Sequence, residues 1–197
     1  MQRFLNRTAY NTEPGRATLK SFREIVRQKN VHCLEAALFA AAVLERHGYP
    51  PLLLSFESID QLDHVLFVYQ RRGRWGAIGR SRDPGLHGRK PVYRSLRALA
   101  ASYMAPFIDY TGEVTGFAPY DLRDLRGCDW RFSPRNVWKL ETVLLNIPHA
   151  PLRWPKARVR AERERYKAFM KANPGKKPME YAGREHWSAL PATFGRP

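Results

Sequence analysis

Residues 33–47, CLEAALFAAAVLERH, constrain the fold more than any other stretch of the chain. Leu34, Ala37, Leu38, Ala41 and Leu44 recur at helical spacing, and the alanines between them leave the stretch apolar almost all round. A helix without a polar face is stable only when it is covered on every side, so the rest of the chain has to be built around this one. It also has a defined end. Gly48 suits the left-handed position after a helix, and Pro50 and Pro51 cannot continue it.

The cover comes next in the chain. LLLSF (52–56) reads as a buried strand, and HVLFVYQ (64–70), rich in β-branched and aromatic residues, as a second. RRGR is a turn and WGAIGRS (75–81) a third strand, so 64–81 is predicted to be a β-hairpin. With Arg72 and Gly73 as the turn pair, Arg71 pairs with Arg74 and His64 falls opposite Ser81, with Asp83 its diagonal neighbour. Moving the turn by one residue would give His64 Arg80 or Arg82 instead.

Around this centre, residues 1–17 read as an irregular lead-in, and Leu19, Phe22, Ile25 and Val26 predict a helix over 18–29. Residues 79–91 are expected to be mostly loop, 95–104 a helix, and 105–135 loops with one or two short strands. Helices are expected over 137–147 and, highly charged, over 156–172, with an extended tail from Asn173. There are no internal repeats. This order predicts an α+β fold in which a buried helix packs on a small antiparallel sheet. Three regions are expected: the lead-in 1–17, a domain over 18–150, and a basic helical arm over 151–197.

Charge supports the separate arm. The net charge is +16, and from Leu152 to Pro197 the chain carries 12 Lys and Arg against 4 Glu, half of that excess. Such a tract attracts nucleic acid or acidic proteins, and Trp154, Tyr166, Tyr181 and Trp187 are interleaved with it, placed either to stack on bases or to dock the arm on the body. No run approaches the roughly 18 apolar residues of a membrane span, and residues 1–15 lack the apolar block of a secretory signal. A bacterial, cytoplasmic protein is expected. Two cysteines, Cys33 and Cys128, make no disulfide framework. Neither shows zinc-site spacing; His32, adjacent to Cys33, is too close in the chain for the usual motif. Cys128, with no helix start beside it, reads as structural. The glycines Gly73 and Gly79 do not have phosphate-loop spacing, and Arg80 stands where that motif needs lysine.

Cys33 is different because it heads the buried helix. Unpaired N–H groups and the helix dipole at that end favour the thiolate, the nucleophilic form. A thiol nucleophile also needs an imidazole within reach and a group to orient that imidazole. If the helix packs across the hairpin, His64 can face Cys33, with Asp83 or Ser81 as the orienting group. Asp63, adjacent to His64 on a strand, would point the other way.

Cys at the head of a buried helix, then GYPPLLL, then DHVLFVY with its histidine, then GRWGAIGRSRDP, resembles the core of the transglutaminase-like superfamily, part of the wider papain-like fold. The resemblance covers about residues 20–110. In that superfamily the third catalytic member is an aspartate in a short W-x-x-x-D pattern; after Trp75 that place is held by Gly79. The resemblance implies Cys33 as nucleophile, His64 as base and Asp83, from a longer loop, as the third member. It implies a cysteine-dependent hydrolase or acyltransferase acting on peptide or protein amide bonds through a thioester, with no metal or cofactor. The alternative it leaves is an inactive scaffold of the same fold that holds nucleic acid or an acidic partner through its basic arm.

Overall fold

The computed structural model describes residues 1–175. The elements run α1 (Gln2–Arg7), β1 (Ala9–Tyr10), α2 (Phe22–Gln28), β2 (Asn30–Val31), α3 (Cys33–Glu45), β3 (Leu52–Ser58), β4 (His64–Arg71), β5 (Arg74–Ile78), β6 (Arg89–Tyr93), α4 (Leu96–Ala101), α5 (Met104–Phe107), β7 (Val114–Asp121), α6 (Trp138–Asn146), β8 (Ala150–Pro151) and α7 (Lys156–Ala172). Short 3₁₀ turns occupy Pro84–Leu86 and Leu122–Asp124. The fold is mixed α+β around one antiparallel sheet of order β6-β5-β4-β3-β7-β8.

Both faces of the sheet are covered, which is why β3 and β4 read as continuous apolar runs rather than as alternating ones. Leu53, Val65, Phe67 and Ile78 face α3 and join Ile25, Leu38, Trp130 and Leu140. Leu54, Phe56, Leu66 and Val68 face α4 and α5 and join Leu99, Tyr103 and Met104. The alanine-rich α3 is buried as its composition requires: Ala36, Ala37, Leu38, Ala40 and Ala41 are all 0% exposed. Covering a leucine such as Leu38 in this way contributes about 1.5–3 kcal/mol.

The hairpin has the register expected of it. Arg72 and Gly73 both take positive φ, 50° and 70°, the backbone of a type I′ turn. Arg71 pairs with Arg74, and the ladder runs up to Phe67 with Ile78. There β5 ends, three residues before Ser81. The Gly79 backbone is met instead by the Gln2 side chain, which accepts from its N–H at 3.0 Å and donates to its carbonyl at 2.8 Å.

Several regions differ from expectation. The lead-in is irregular only over 11–17; before it, α1 is anchored by Leu5, 0% exposed, and β1 pairs in parallel with β2. The 79–91 loop ends in an edge strand, β6, where Pro91 is tolerated because one side of the strand has no ladder partner. The 105–135 region holds an eight-residue strand, β7, paired along the whole of β3. The boundary expected at 150/151 falls inside β8, which pairs with β7 through Ala150 and Pro151. Beyond it the arm lies on the body. Trp154 Nε1 donates to the Val114 carbonyl at 2.9 Å, Val159 is buried, and Tyr166 meets Tyr110 edge to face. These two aromatics of the arm are therefore docking residues. Lys176, Lys177, Tyr181 and Trp187 lie outside the described residues. Among those described, no helix is long and apolar enough to cross a membrane.

Candidate active site

The α3 N-terminus is built by the residues just before it. β2 brings the chain alongside β1, and His32 takes the extended N-cap conformation, φ −95° and ψ −174°. Glu35, at the third helical position, reaches back to accept the His32 N–H at 3.0 Å, as a capping-box glutamate does. Glu35 is wholly buried and also accepts from the Lys20 N–H at 2.9 Å, with the Lys20 ammonium 3.4 Å away. Cys33 is thus the first residue of a helix whose entry is fixed by a buried ion pair.

The thiol stands between two imidazoles. His32 and His64 both act on it against burial: desolvation alone would raise the Cys33 pKa, but hydrogen bonding to the two imidazoles and their charges bring it down to about 5. His32 responds in the opposite sense. Burial would lower it, yet the thiolate beside it, with Glu35 and the Thr18 carbonyl, raises it to about 9. Both shifts favour the thiolate–imidazolium form of the pair. Cys128 contrasts with it. Burial pushes that thiol up, and no histidine offsets the shift.

His64 is oriented by a backbone atom. Its Nε2 lies 2.8 Å from the Leu86 carbonyl oxygen. A carbonyl only accepts, so Nε2 carries a proton and Nδ1 is left for the sulfur. Phe56 lies parallel to the imidazole, ring centres 6.4 Å apart. Asp83 is engaged in the loop itself. Its Oδ1 accepts the Gly85 N–H at 2.8 Å and its own N–H donates to Ser81 Oγ at 3.2 Å. Asp83 and Ser81 build the turn that carries Leu86.

That turn is clamped from below by Arg89, 0% exposed. Its guanidinium donates to the carbonyls of Gly85 and His87 at 2.8 Å each and of Gly88 at 3.1 Å. It also lies 4.0 Å from the centre of the Tyr103 ring, whose hydroxyl donates to the His87 carbonyl at 2.9 Å. Carbonyls on both sides of Leu86 are held by one buried cation. His87, depressed to about 4 by burial and then by the charges of Arg80, His64 and Arg89, stays neutral and meets Arg80 at 3.0 Å.

Gly79, where the resemblance would put an aspartate, has no room for one. A Cβ there would come within 2.2 Å of Leu66 Cδ2, in the core beneath β4. Burial first, then the Cys33 charge, raise the Tyr10 pKa to about 12, so its hydroxyl remains a donor.

The structure therefore brings Cys33 and His64 together and adds His32 and the Leu86 carbonyl. His32 had a sequence signal, a histidine in the N-cap position directly before the cysteine with glutamate three residues on. The Leu86 carbonyl had none, because every residue carries one. No protein-family model matches the chain, and no curated protein matches it.

Proposed function

We propose that the chain is a cysteine-dependent hydrolase or acyltransferase acting on peptide or protein amide bonds, with a transglutaminase-like core of the wider papain-like kind. The observation that carries this reading is the placement of the Cys33 thiol at the first position of a buried helix, with the imidazoles of His32 and His64 beside it holding its pKa down. A buried cysteine with only a packing role has no use for that arrangement.

In this reading the Cys33 thiolate attacks the amide carbonyl carbon, forming the C–S bond. The carbonyl oxygen becomes an oxyanion, for which N–H groups at the start of α3 are the donors. His64, holding on Nδ1 the proton it took from the thiol, gives it to the departing nitrogen as the C–N bond breaks, leaving a thioester and a free amine. Water then attacks the thioester and His64 takes its proton, so that a carboxylic acid leaves and the thiolate returns; an amine in place of water gives transamidation. His32 remains the fixed positive charge beside the sulfur. Two free cysteines suit the reducing cytoplasm.

Alkylation by iodoacetamide tests the premise. Cys33 should label roughly tenfold faster than Cys128 at pH 6.5, the gain in thiolate being partly offset by the weaker nucleophilicity of a low-pKa thiolate. Between pH 6 and 8 its rate should stay flat while that of Cys128 climbs. Equal, slow labelling of both would overturn the reading.

A further inference from the structure

Away from the thiol, an open groove of about 1150 Å³ runs between α2 and residues 127–139, which lead into α6. It is larger than the roughly 300–1,000 Å³ of a small-molecule pocket, which favours a segment of a polymer. Arg16, Arg27, Arg135 and Lys139 line it. Arg27 is paired with Glu24 at 2.7 Å, but Arg16, Arg135 and Lys139 make no ion pair among the described residues. The acidic residues of the lining are already occupied. Glu24 holds Arg27, and Asp129 caps the N–H groups of Arg131 and Phe132 at 3.1 and 3.0 Å.

Two large aromatic residues line the same groove and stay in solvent: Phe132 is 61% exposed and Trp138 39%. Cations alone would suit any polyanion. Exposed rings among uncommitted cations suit one class better, because unpaired bases stack on rings while their phosphates meet the charges. A duplex hides its base faces, and an acidic peptide has no flat group to place on the rings. Thr18 and Lys20, at one edge of the lining, support the thiol site, but Arg16, Phe132, Arg135, Trp138 and Lys139 take no part in it.

We propose that this groove binds single-stranded nucleic acid, with Phe132 and Trp138 as the stacking platforms and Arg16, Arg135 and Lys139 as the phosphate contacts. The arm is then not the principal binding element, since its Trp154 and Tyr166 are committed to the body.

The test is fluorescence anisotropy on the full chain with three labelled probes: a single-stranded oligothymidine, a duplex of the same length, and polyglutamate. The single strand should bind at least tenfold tighter than the other two. Phe132→Ala and Trp138→Ala, both at exposed positions, should each weaken it roughly tenfold, and Arg135→Gln should lower the slope of log affinity against log salt by about one. Comparable affinity for all three probes, tighter binding of polyglutamate, or single-strand binding that survives both aromatic substitutions would overturn the proposal and leave only the charge of a +16 chain.

Discussion

The Leu86 carbonyl oxygen lies 2.8 Å from Nε2 of His64, the imidazole that acts on the Cys33 thiol. A side-chain carboxylate at that place both orients the ring and stabilises its charge; a backbone carbonyl orients it and adds only a dipole. Its position depends on the turn that carries it, and hence on Arg89 and Tyr103.

Asp83 should therefore be dispensable for the chemistry. Asp83→Ala removes a turn cap worth about 1 kcal/mol and should leave Cys33 alkylation and amide turnover within tenfold of the parent. A loss of about 10⁴, the scale seen when an orienting carboxylate is removed, would return Asp83 to the catalytic group.

Tyr103→Phe should act through Leu86. It deletes one hydrogen bond, to the His87 carbonyl, for about 1 kcal/mol of stability, and leaves the ring under Arg89. Turnover should fall several-fold with KM unchanged, and the pH profile of Cys33 alkylation should shift as the imidazole loosens. An unchanged profile would make the clamp purely structural.

His32→Gln should raise the Cys33 pKa, because it removes a hydrogen bond and a positive charge and leaves the desolvation penalty standing. Alkylation at pH 6 should drop at least tenfold and recover as pH rises. The stability contribution has a matching window. A depressed thiol stabilises the fold above its unfolded pKa and loses that contribution as pH falls through about 5. A raised imidazole contributes below its unfolded pKa and loses it as pH rises through about 9. Thermal unfolding of parent and variant should accordingly differ most between those limits and converge outside them.

Gly79→Asp should not restore a missing catalytic residue. Its Cβ would collide with buried Leu66, and overpacking of this kind costs about 1–3 kcal/mol. A lowered Tm with no gain in turnover is expected; a gain would show that the aspartate had found His64.

Glu35→Ala should be the most damaging of these changes. It strands the Lys20 ammonium, whose side chain is 4% exposed, and breaking one half of a buried pair costs about 3–5 kcal/mol. Denaturant unfolding measures it directly. Glu35→Ala with Lys20→Met should recover much of the loss, since no charge then remains unpaired.

What the sequence determined by itself was local. The burial of α3 followed from its lack of a polar face, the hairpin register from Arg72 and Gly73, the bounds of α7 from its charge pattern, and the place of Cys33 from the helix it heads. Tertiary structure decided the rest. Strand alternation groups His64 with Leu66 and Val68, on the face away from α3; contact with Cys33 occurs where the β5 ladder has already ended at Ile78. β7 became the partner of β3 through a long connection that no local pattern encodes. The group that orients His64 is a main-chain carbonyl, and main-chain atoms carry no sequence identity, so only the folded turn and the buried arginine beneath it could assign that role.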